Sequence, residues 1–169
     1  RTGYQGMWRL DYNTRHTGNP YPTHGLGPVC QILGIHRGDR MERLVSLSTA
    51  QRGLTLAARE KFGPDSQWAQ RDYRLGDMNT TLIRTARGKT ILIQHDVTSP
   101  RPYNRLHTIS GTKGFAQKYP VETIALDPNA HAPLPERQRD SLLSVYEHPI
   151  AREIGEKARQ VGGHGGMDF

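Results

Sequence analysis

The sequence predicts an α+β fold, in which an open, mainly antiparallel sheet has helices packed on one face. The prediction rests on three runs with β-strand character at residues 78–85, 90–97 and 106–110, and on amphipathic, helix-like segments on both sides of them. The first two runs are joined by Ala-Arg-Gly-Lys, and Gly88 in this tetrapeptide is typical of a hairpin turn. Consecutive strands with short connections favour an antiparallel meander over a doubly wound sheet.

The remaining elements are predicted from local patterns along the chain. Residues 4–12 alternate aromatic and polar side chains, which indicates a strand with one covered face. Thr23 stands where it can cap a helix that runs to Leu33 and stops at Gly34. The other predicted elements are a strand at 43–48, a helix at 48–62 that ends before Gly63 and Pro64, a strand at 121–126, and helices at 136–147 and 151–161 separated at Pro149.

Length and composition indicate one domain that is part of a larger protein. A chain of 169 residues fits a single domain with a real core. The hydrophobic share of 34% is low, and 18 glycines with 11 prolines is high, so much of the chain is expected to be loop, or surface that a partner covers. We therefore expect residues 1–169 to be a fragment.

Charge, cysteine content and hydropathy narrow the classes of function. The 23 Lys and Arg against 16 Asp and Glu give +7, but these basic residues are scattered without a run of five, which argues against nucleic-acid binding. Cys30 is the single cysteine, so neither an intrachain disulfide nor a cysteine-based zinc site is predicted. No apolar stretch approaches the roughly 20 residues that span a bilayer. Residues 1–6 lack the apolar core of a signal peptide.

The densest group of chemically capable residues is the segment His-Thr-Gly-Asn-Pro-Tyr-Pro-Thr-His-Gly-Leu-Gly-Pro at 16–28. Tyr21 and His24 lie three residues apart at a predicted loop-to-helix junction. A phenol and an imidazole placed there can face one cleft and divide proton donation from proton abstraction. Spacing alone also allows structural roles, since a tyrosine between prolines commonly packs on its loop and a histidine at a helix start is often structural.

Two more residues have side chains suited to a polar ligand. Arg9, beside Trp8 on the predicted first strand, can bind a sugar hydroxyl or carbonyl oxygen, or it can pair with a surface carboxylate. Tyr103 lies among prolines and arginines in Ser-Pro-Arg-Pro-Tyr-Asn-Arg, where a rigid phenol either lines a pocket or covers the sheet edge. The residues alone do not decide between these roles.

A metal site and a dinucleotide site are not predicted within the chain. His95 and Asp96 end one predicted strand near His107 on the next, but adjacent strand residues point to opposite faces, so a cross-strand polar pair is expected in place of a metal. The glycine-rich 162–166 segment has neither the G-x-G-x-x-G nor the G-x-x-x-x-G-K pattern. If the protein uses NAD, most of that binding site lies outside these residues.

Four blocks together resemble the C-terminal domain of glycoside hydrolase family 109. They are GYQGMWRLDYNTRHTGNPYPTHGLGPVCQ, RGDRMERLVS, GDMNTTLIRTARGKTILIQHDVTSPRPYNR and the closing GGHGGMDF. That family is similar to the Gfo/Idh/MocA oxidoreductases, in which an N-terminal Rossmann domain holds NAD and a C-terminal α+β domain presents an open sheet to the substrate. The resemblance implies that residues 1–169 are the substrate-binding and catalytic domain, without the Rossmann domain and inactive in isolation.

The resemblance also implies an activity, the NAD-dependent hydrolysis of glycans ending in α-linked N-acetylgalactosamine. In such a redox-neutral route the sugar is transiently oxidised at C3, loses its C2 proton and its leaving group, gains water and is reduced again, so NAD is not consumed. His24 and Tyr21 match the family's catalytic positions, and His24 is the expected acid/base, with Tyr21 also beside the nicotinamide. The positions that match sugar-binding ones are Arg9, Tyr21, Pro22, Thr23, His24 and Tyr103.

One departure leaves other functions open. The broader oxidoreductase group often has an acidic residue four positions before the equivalent histidine, where this sequence has Pro20. The alternatives are an NAD(P)-dependent sugar or cyclitol dehydrogenase, which accumulates NADH, and a non-catalytic carbohydrate-binding or interaction domain. The resemblance further implies a bacterial exported protein and a homo-oligomer formed through the exposed sheet face.

Overall fold

The α+β class is confirmed by the structure, a computed structural model that describes residues 5–102 and 104–162. The chain divides into two compact units, Arg1–Tyr103 and Asn104–Phe169. The first unit contains a 3-10 turn at Gln5–Met7 and the elements α1 (Trp8–Arg15), α2 (Thr23–Leu33), β1 (Met41–Ser48), α3 (Gly53–Phe62), β2 (Met78–Thr85) and β3 (Thr90–Asp96). The second contains β4 (His107–Ser110), β5 (Gly114–Lys118), β6 (Thr123–Leu126), α4 (Glu136–Tyr146) and α5 (Pro149–Gln160).

The first unit is built on a three-stranded antiparallel sheet in the order β1-β2-β3. The predicted hairpin is present, and Gly88 has a φ of 81° at its turn. One face of the sheet is buried at Ile83, Ile91 and Ile93, whereas Leu92 on the other face is 65% exposed. The helix α2 lies against the buried face, so this unit matches the prediction of helices on one side.

The second unit forms a separate three-stranded antiparallel sheet, in the order β4-β5-β6. The predicted third strand of the meander therefore pairs with β5 and not with β3. The strand β5 was not predicted because it begins with Gly114, which reads as a strand breaker in sequence. A Cβ at Gly114 would lie 2.8 Å from the Ala125 carbonyl oxygen, so the glycine permits a close approach of β6.

The predicted strand at residues 4–12 is wrong, because residues 8–15 form the helix α1. Leu10 is fully buried and Asn13 is 8% exposed, three residues apart, which is helical spacing. Trp8 is 54% exposed, so the alternation of aromatic residues did not mark a covered face. The Asn13 carbonyl accepts the N–H groups of Arg74 and Leu75, which ties α1 to a distant loop.

The helix α3 begins at Gly53, five residues later than predicted. Its start is set by a carboxylate from elsewhere in the chain, because Asp77 accepts the N–H groups of Arg52 and Gly53 at 3.0 and 2.9 Å. The Thr98 hydroxyl donates to the same carboxylate at 2.8 Å.

The helix α5 begins with Pro149 itself, which was predicted to separate the last two helices. Proline suits the first helical turn, and the His148 ring accepts the Ile150 N–H.

The core of the first unit joins α1, α3 and the segment between α3 and β2. Leu10, Leu54, Tyr73 and Leu75 form the buried cluster. Partly buried side chains packed on it are Met7, Phe62, Trp68 and Val97. Within residues 5–102 and 104–162, no helix combines the length and the apolar character that crossing a bilayer requires.

The carboxylate of Asp39 joins the turn after α2 to the β2–β3 hairpin. Its Oδ1 accepts the N–H groups of Arg40 and Arg87 at 2.8 and 3.1 Å. Its Oδ2 accepts the Thr85 hydroxyl at 2.9 Å and lies 3.1 Å from Lys89 Nζ. Burial raises the pKa of Asp39, but these hydrogen bonds outweigh it and hold the pKa well below the ordinary value.

We expect Asp39→Asn to destabilise the protein at neutral pH and to remove part of its acid sensitivity. An aspartate with a depressed folded pKa stabilises fully above its unfolded pKa of about 3.9, and the contribution is lost as the pH falls below that value. The difference between the melting temperatures of wild type and variant should therefore stay constant from pH 7 to about 4 and shrink only as the pH is lowered further. An Asp65→Asn variant, altered at an exposed loop position, is the control. A difference in melting temperature between wild type and Asp39→Asn that does not shrink below about pH 4 would contradict the assignment.

Candidate functional site

The segment between α1 and α2 is held at its start by contacts with α1 and with β1. The His16 ring stacks on Tyr12 with centroids 3.8 Å apart, and its Nδ1 donates to the Tyr12 carbonyl at 3.0 Å. Thr17 Oγ1 donates to the Ser48 hydroxyl, 3.4 Å away at the end of β1. The loop that leads to the candidate site therefore starts from fixed points on α1 and β1.

Tyr21 and His24 come together at the start of α2, as their spacing suggested. Tyr21 Oη lies 3.5 Å from His24 Nε2, and the rings meet edge to face with centroids 5.0 Å apart and an interplanar angle of 80°. Both side chains are exposed, Tyr21 at 48%. A contact of 3.5 Å is a long hydrogen bond, so both groups remain able to exchange protons with a third molecule. Their roles in binding and catalysis stay predictions.

The predicted capping role of Thr23 is wrong. Pro22 is the residue that precedes the helix, with φ −75° and ψ −15°, and no side chain caps it. Its carbonyl accepts the N–H groups of Gly25 and Leu26 at 3.1 and 2.8 Å. Because Pro22 already has helical dihedral angles, Thr23 is the first helical residue and its exposed side chain lies beside Tyr21 and His24 in the chain.

Gly25 lets the first turn of α2 lie close to β3. A Cβ at this position would be 3.0 Å from Cδ1 and 3.3 Å from Cγ1 of Ile93. Contacts this short are tighter than ordinary van der Waals separation. The position of His24, the preceding residue, therefore depends on the absence of a side chain at Gly25.

We expect the effect of Gly25→Ala on the free energy of unfolding to depend on the side chain at position 93. Overpacking typically costs about 1 to 3 kcal/mol, which opposes the gain of about 1 kcal/mol for replacing a helical glycine. Ile93→Val removes Cδ1, so the alanine should be better tolerated in that background, with a coupling of about 0.5 kcal/mol or more in a double-mutant cycle of unfolding.

The control for this cycle is Gly27→Ala in the same helix. A Cβ at Gly27 would meet no atom within 4 Å. The Gly27 substitution should therefore have the same effect in the wild-type and Ile93→Val backgrounds. Equal effects of Gly25→Ala in the two backgrounds would show that the close approach does not constrain α2.

One other predicted ligand residue, Arg9, lies outside this junction. Arg9 lies on the helix α1 and not on a strand, with its guanidinium 5.1 Å from the Trp8 ring centroid. Tyr103 lies outside the described residues. The structure thus groups Tyr21, Pro22, Thr23 and His24 at one loop-to-helix junction and places Arg9 on another helix.

The described residues contain no group of three histidine, cysteine, aspartate or glutamate side chains placed to hold a metal ion. Asp96 is instead engaged by the Ser99 N–H at 2.9 Å and by Arg101 Nε at 2.7 Å. Burial raises the pKa of Asp96, but the bonds from Ser99 and Arg101 lower it below the ordinary value. The register places His95 opposite Asn79 on β2.

The described part of the chain offers a side chain that suits one edge of a nicotinamide, that of Tyr21, but not the architecture that holds the phosphates of a dinucleotide. Both sheets in the described part of the chain are antiparallel, whereas the pyrophosphate of a dinucleotide is held at the strand-to-helix turn of a doubly wound parallel sheet. The exposed Tyr21 phenol is able to contact a flat ring presented from another domain.

One residue at the junction was missed from the sequence. The Asn19 side-chain oxygen accepts the Tyr21 N–H at 2.9 Å. An asparagine that bonds the backbone two residues ahead is a common turn, and the Asn-Pro pair at 19–20 is a known marker of turns. Attention to that dipeptide would have found the contact.

The chain combines the α+β class with an exposed phenol–imidazole pair at the start of α2. The family model for the glycosyl hydrolase 109 C-terminal domain matches residues 1–169, and the chain belongs to this family. The resemblance seen in the sequence is thereby confirmed.

Relatives with high identity are named either for this family or as an alpha-N-acetylgalactosaminidase. The alpha-N-acetylgalactosaminidase of Bacteroides fragilis strain ATCC 25285 is 58% identical over 158 residues, which are 94% of this chain and 37% of that protein. Glycosyl hydrolase family 109 protein 2 of Phocaeicola vulgatus is 55% identical over 94% of this chain and 38% of its own length. The family 109 protein of Porphyromonas gingivalis is 46% identical over 98% of this chain and 38% of its own. The chain therefore spans less than two fifths of the length of these relatives.

Proposed function

We propose that the full-length protein carrying this chain hydrolyses terminal α-linked N-acetylgalactosamine from glycans, with NAD as a cofactor that is not consumed. The observation that carries the proposal is the exposed Tyr21–His24 pair, 3.5 Å apart, in a family 109 domain. The 58% identical relative named alpha-N-acetylgalactosaminidase supports the choice of sugar.

In this proposal His24 moves the protons and Tyr21 orients the reacting ring. An imidazole exchanges protons readily near neutral pH, which suits both removal of the C2 proton and protonation of the departing oxygen. Tyr21 Oη, in contact with His24 Nε2, holds the imidazole from one side and lies where a sugar hydroxyl can be bound. Arg9, the Pro22–Thr23 backbone and Tyr103 complete the proposed sugar site.

When NAD is bound, it supplies reversible hydride acceptance at the sugar. We place its phosphate-binding site on a Rossmann domain outside these 169 residues, since the sequence has no dinucleotide fingerprint. From this chain, the exposed Tyr21 phenol is the group proposed to face the nicotinamide. Residues 1–169 alone should then be inactive.

The test is hydrolysis of a chromogenic α-N-acetylgalactosaminide by the full-length protein, with and without added NAD, while NADH absorbance is followed. Release of the chromophore that requires NAD and leaves no net NADH supports the proposal. Accumulating NADH without chromophore release would replace it with a sugar or cyclitol dehydrogenase. Sugar binding without either product would indicate a non-catalytic carbohydrate-binding domain.

We further propose that the full-length protein forms a homo-oligomer through the exposed face of the first sheet. Val45, Leu82 and Leu92 are cross-strand neighbours on that face and are 64%, 50% and 65% exposed, an apolar row that a second copy can cover. Light scattering of Leu92→Glu should show a smaller species than wild type. Leu56→Glu, at a 63% exposed position on α3, should leave the size unchanged.

A further inference from the structure

The phenol of Tyr21 is not held in place by burial. The residue is 48% exposed, and the ring contact described for it is the edge-to-face one with His24. An exposed side chain on a loop keeps a defined position only where its backbone is fixed. The geometry between Tyr21 and His24 therefore depends on the backbone at residues 18–22.

That backbone is fixed by three local features. Gly18 turns the chain with a φ of 90°, a conformation open mainly to glycine. Pro20 and Pro22 restrict φ on either side of Tyr21. The Asn19 side-chain oxygen accepts the Tyr21 N–H at 2.9 Å and closes the turn directly on the residue that bears the phenol.

We propose that Asn19 is a positioning residue, which holds the Tyr21 phenol against the His24 imidazole. This inference rests on the proposed function where it concerns the reaction. The Tyr21 Oη to His24 Nε2 distance of 3.5 Å is already at the long limit of a hydrogen bond, so a small backbone shift at Tyr21 breaks the contact. A misplacement of about 1 Å can cost about 10²-fold in rate.

The first experiment compares Asn19 variants of the full-length protein with the chromogenic substrate and NAD. Asn19→Ala removes the acceptor, and Asn19→Gln moves it by one methylene, so both should lower kcat by about 10 to 100-fold with little change in KM. Asn19→Asp keeps an oxygen at the accepting position and should restore most of the rate. Ser66→Ala, which removes a comparable loop contact to the Gly63 carbonyl after α3, is the matched control and should not change kcat.

A double-mutant cycle separates positioning from general loosening of the loop. If Asn19 acts through the phenol, Asn19→Ala should have less than about a threefold further effect on kcat in a Tyr21→Phe background. Equal losses in the two backgrounds, or an Asn19→Asp variant as slow as Asn19→Ala, would overturn the proposal.

An NMR measurement tests the positioning role of Asn19 without any hydrolysis. In protein with labelled histidine, the His24 ring resonances are assigned by their loss in His24→Gln, and Tyr21→Phe shows the shift caused by losing the phenol. Asn19→Ala should reproduce that shift and Asn19→Asp should not. A His24 signal that responds to Tyr21→Phe but not to Asn19→Ala refutes the role of Asn19. Absence of hydrolysis by the wild type would refute the proposed function alone, because this measurement would still be decisive.

Discussion

Replacing His24 with alanine in the full-length protein should lower kcat for α-N-acetylgalactosaminide hydrolysis by about 10² to 10⁴-fold, the range that general acid–base catalysis typically contributes. The imidazole is exposed at the first turn of α2 and contacts Tyr21, so it is the group at this junction best suited to move protons near neutral pH. Its removal leaves the phenol in place but without its partner. The measurement is the initial rate at saturating substrate and NAD.

His131→Ala is the matched control, since it removes an exposed imidazole from a loop of the second unit. It should leave kcat near the wild-type value. NAD affinity, measured by calorimetry, should be little changed in His24→Ala because the phosphate-binding site is proposed to lie on another domain. A His24→Ala protein with the full rate would remove this residue from the mechanism.

Leu10→Ala should destabilise the protein by about 2 to 5 kcal/mol, the usual cost of such a truncation in a core. Leu10 is fully buried and packs in the cluster with Leu54, Tyr73 and Leu75. Its removal leaves a cavity between α1, α3 and the segment before β2, because the structure around a truncated core residue relaxes only partially. Calorimetric unfolding of the full-length protein should show a melting temperature lower by roughly 2 to 4 °C per kcal/mol.

The matched control is Leu56→Ala on α3, where the same atoms are removed from a side chain that is 63% exposed. Surface substitutions of this kind usually change stability by less than about 0.5 kcal/mol. Similar losses for the two leucines would mean that α1 is not part of the cooperative core. That outcome would also weaken the proposal that α1 holds Arg9 in place as a sugar ligand.

Several elements were predicted closely because their determinants are local. The helix α2 was predicted to end before Gly34, which has a φ of 68° and stops the helix with bonds from Gly34 and Ile35 to the Gln31 and Cys30 carbonyls. The strand β2 was predicted with its observed ends, and the Gly88 turn set the hairpin.

The errors arose where a distant part of the chain decides the local structure. Residues 8–15 became a helix because Leu10 is buried among residues of α3 and of the segment before β2. The start of α3 was misjudged because the Asp77 carboxylate, which accepts its first N–H groups, follows it by more than twenty residues. Patterns within a short window contain no information about such partners.

The sequence by itself determined the α+β class and the Tyr21–His24 pair, since strand alternation, turn glycines and a three-residue spacing act over a few positions. Its resemblance to family 109 indicated the family, which the family model confirms. The tertiary structure alone decided how that pair is supported. Gly25 lies against Ile93 and the Asp39 carboxylate is bonded by the β2–β3 hairpin, and both contacts join segments far apart in the chain. Such contacts form only when the sheet and the helices pack, because the free energy that holds them comes from burial and from hydrogen bonds between elements.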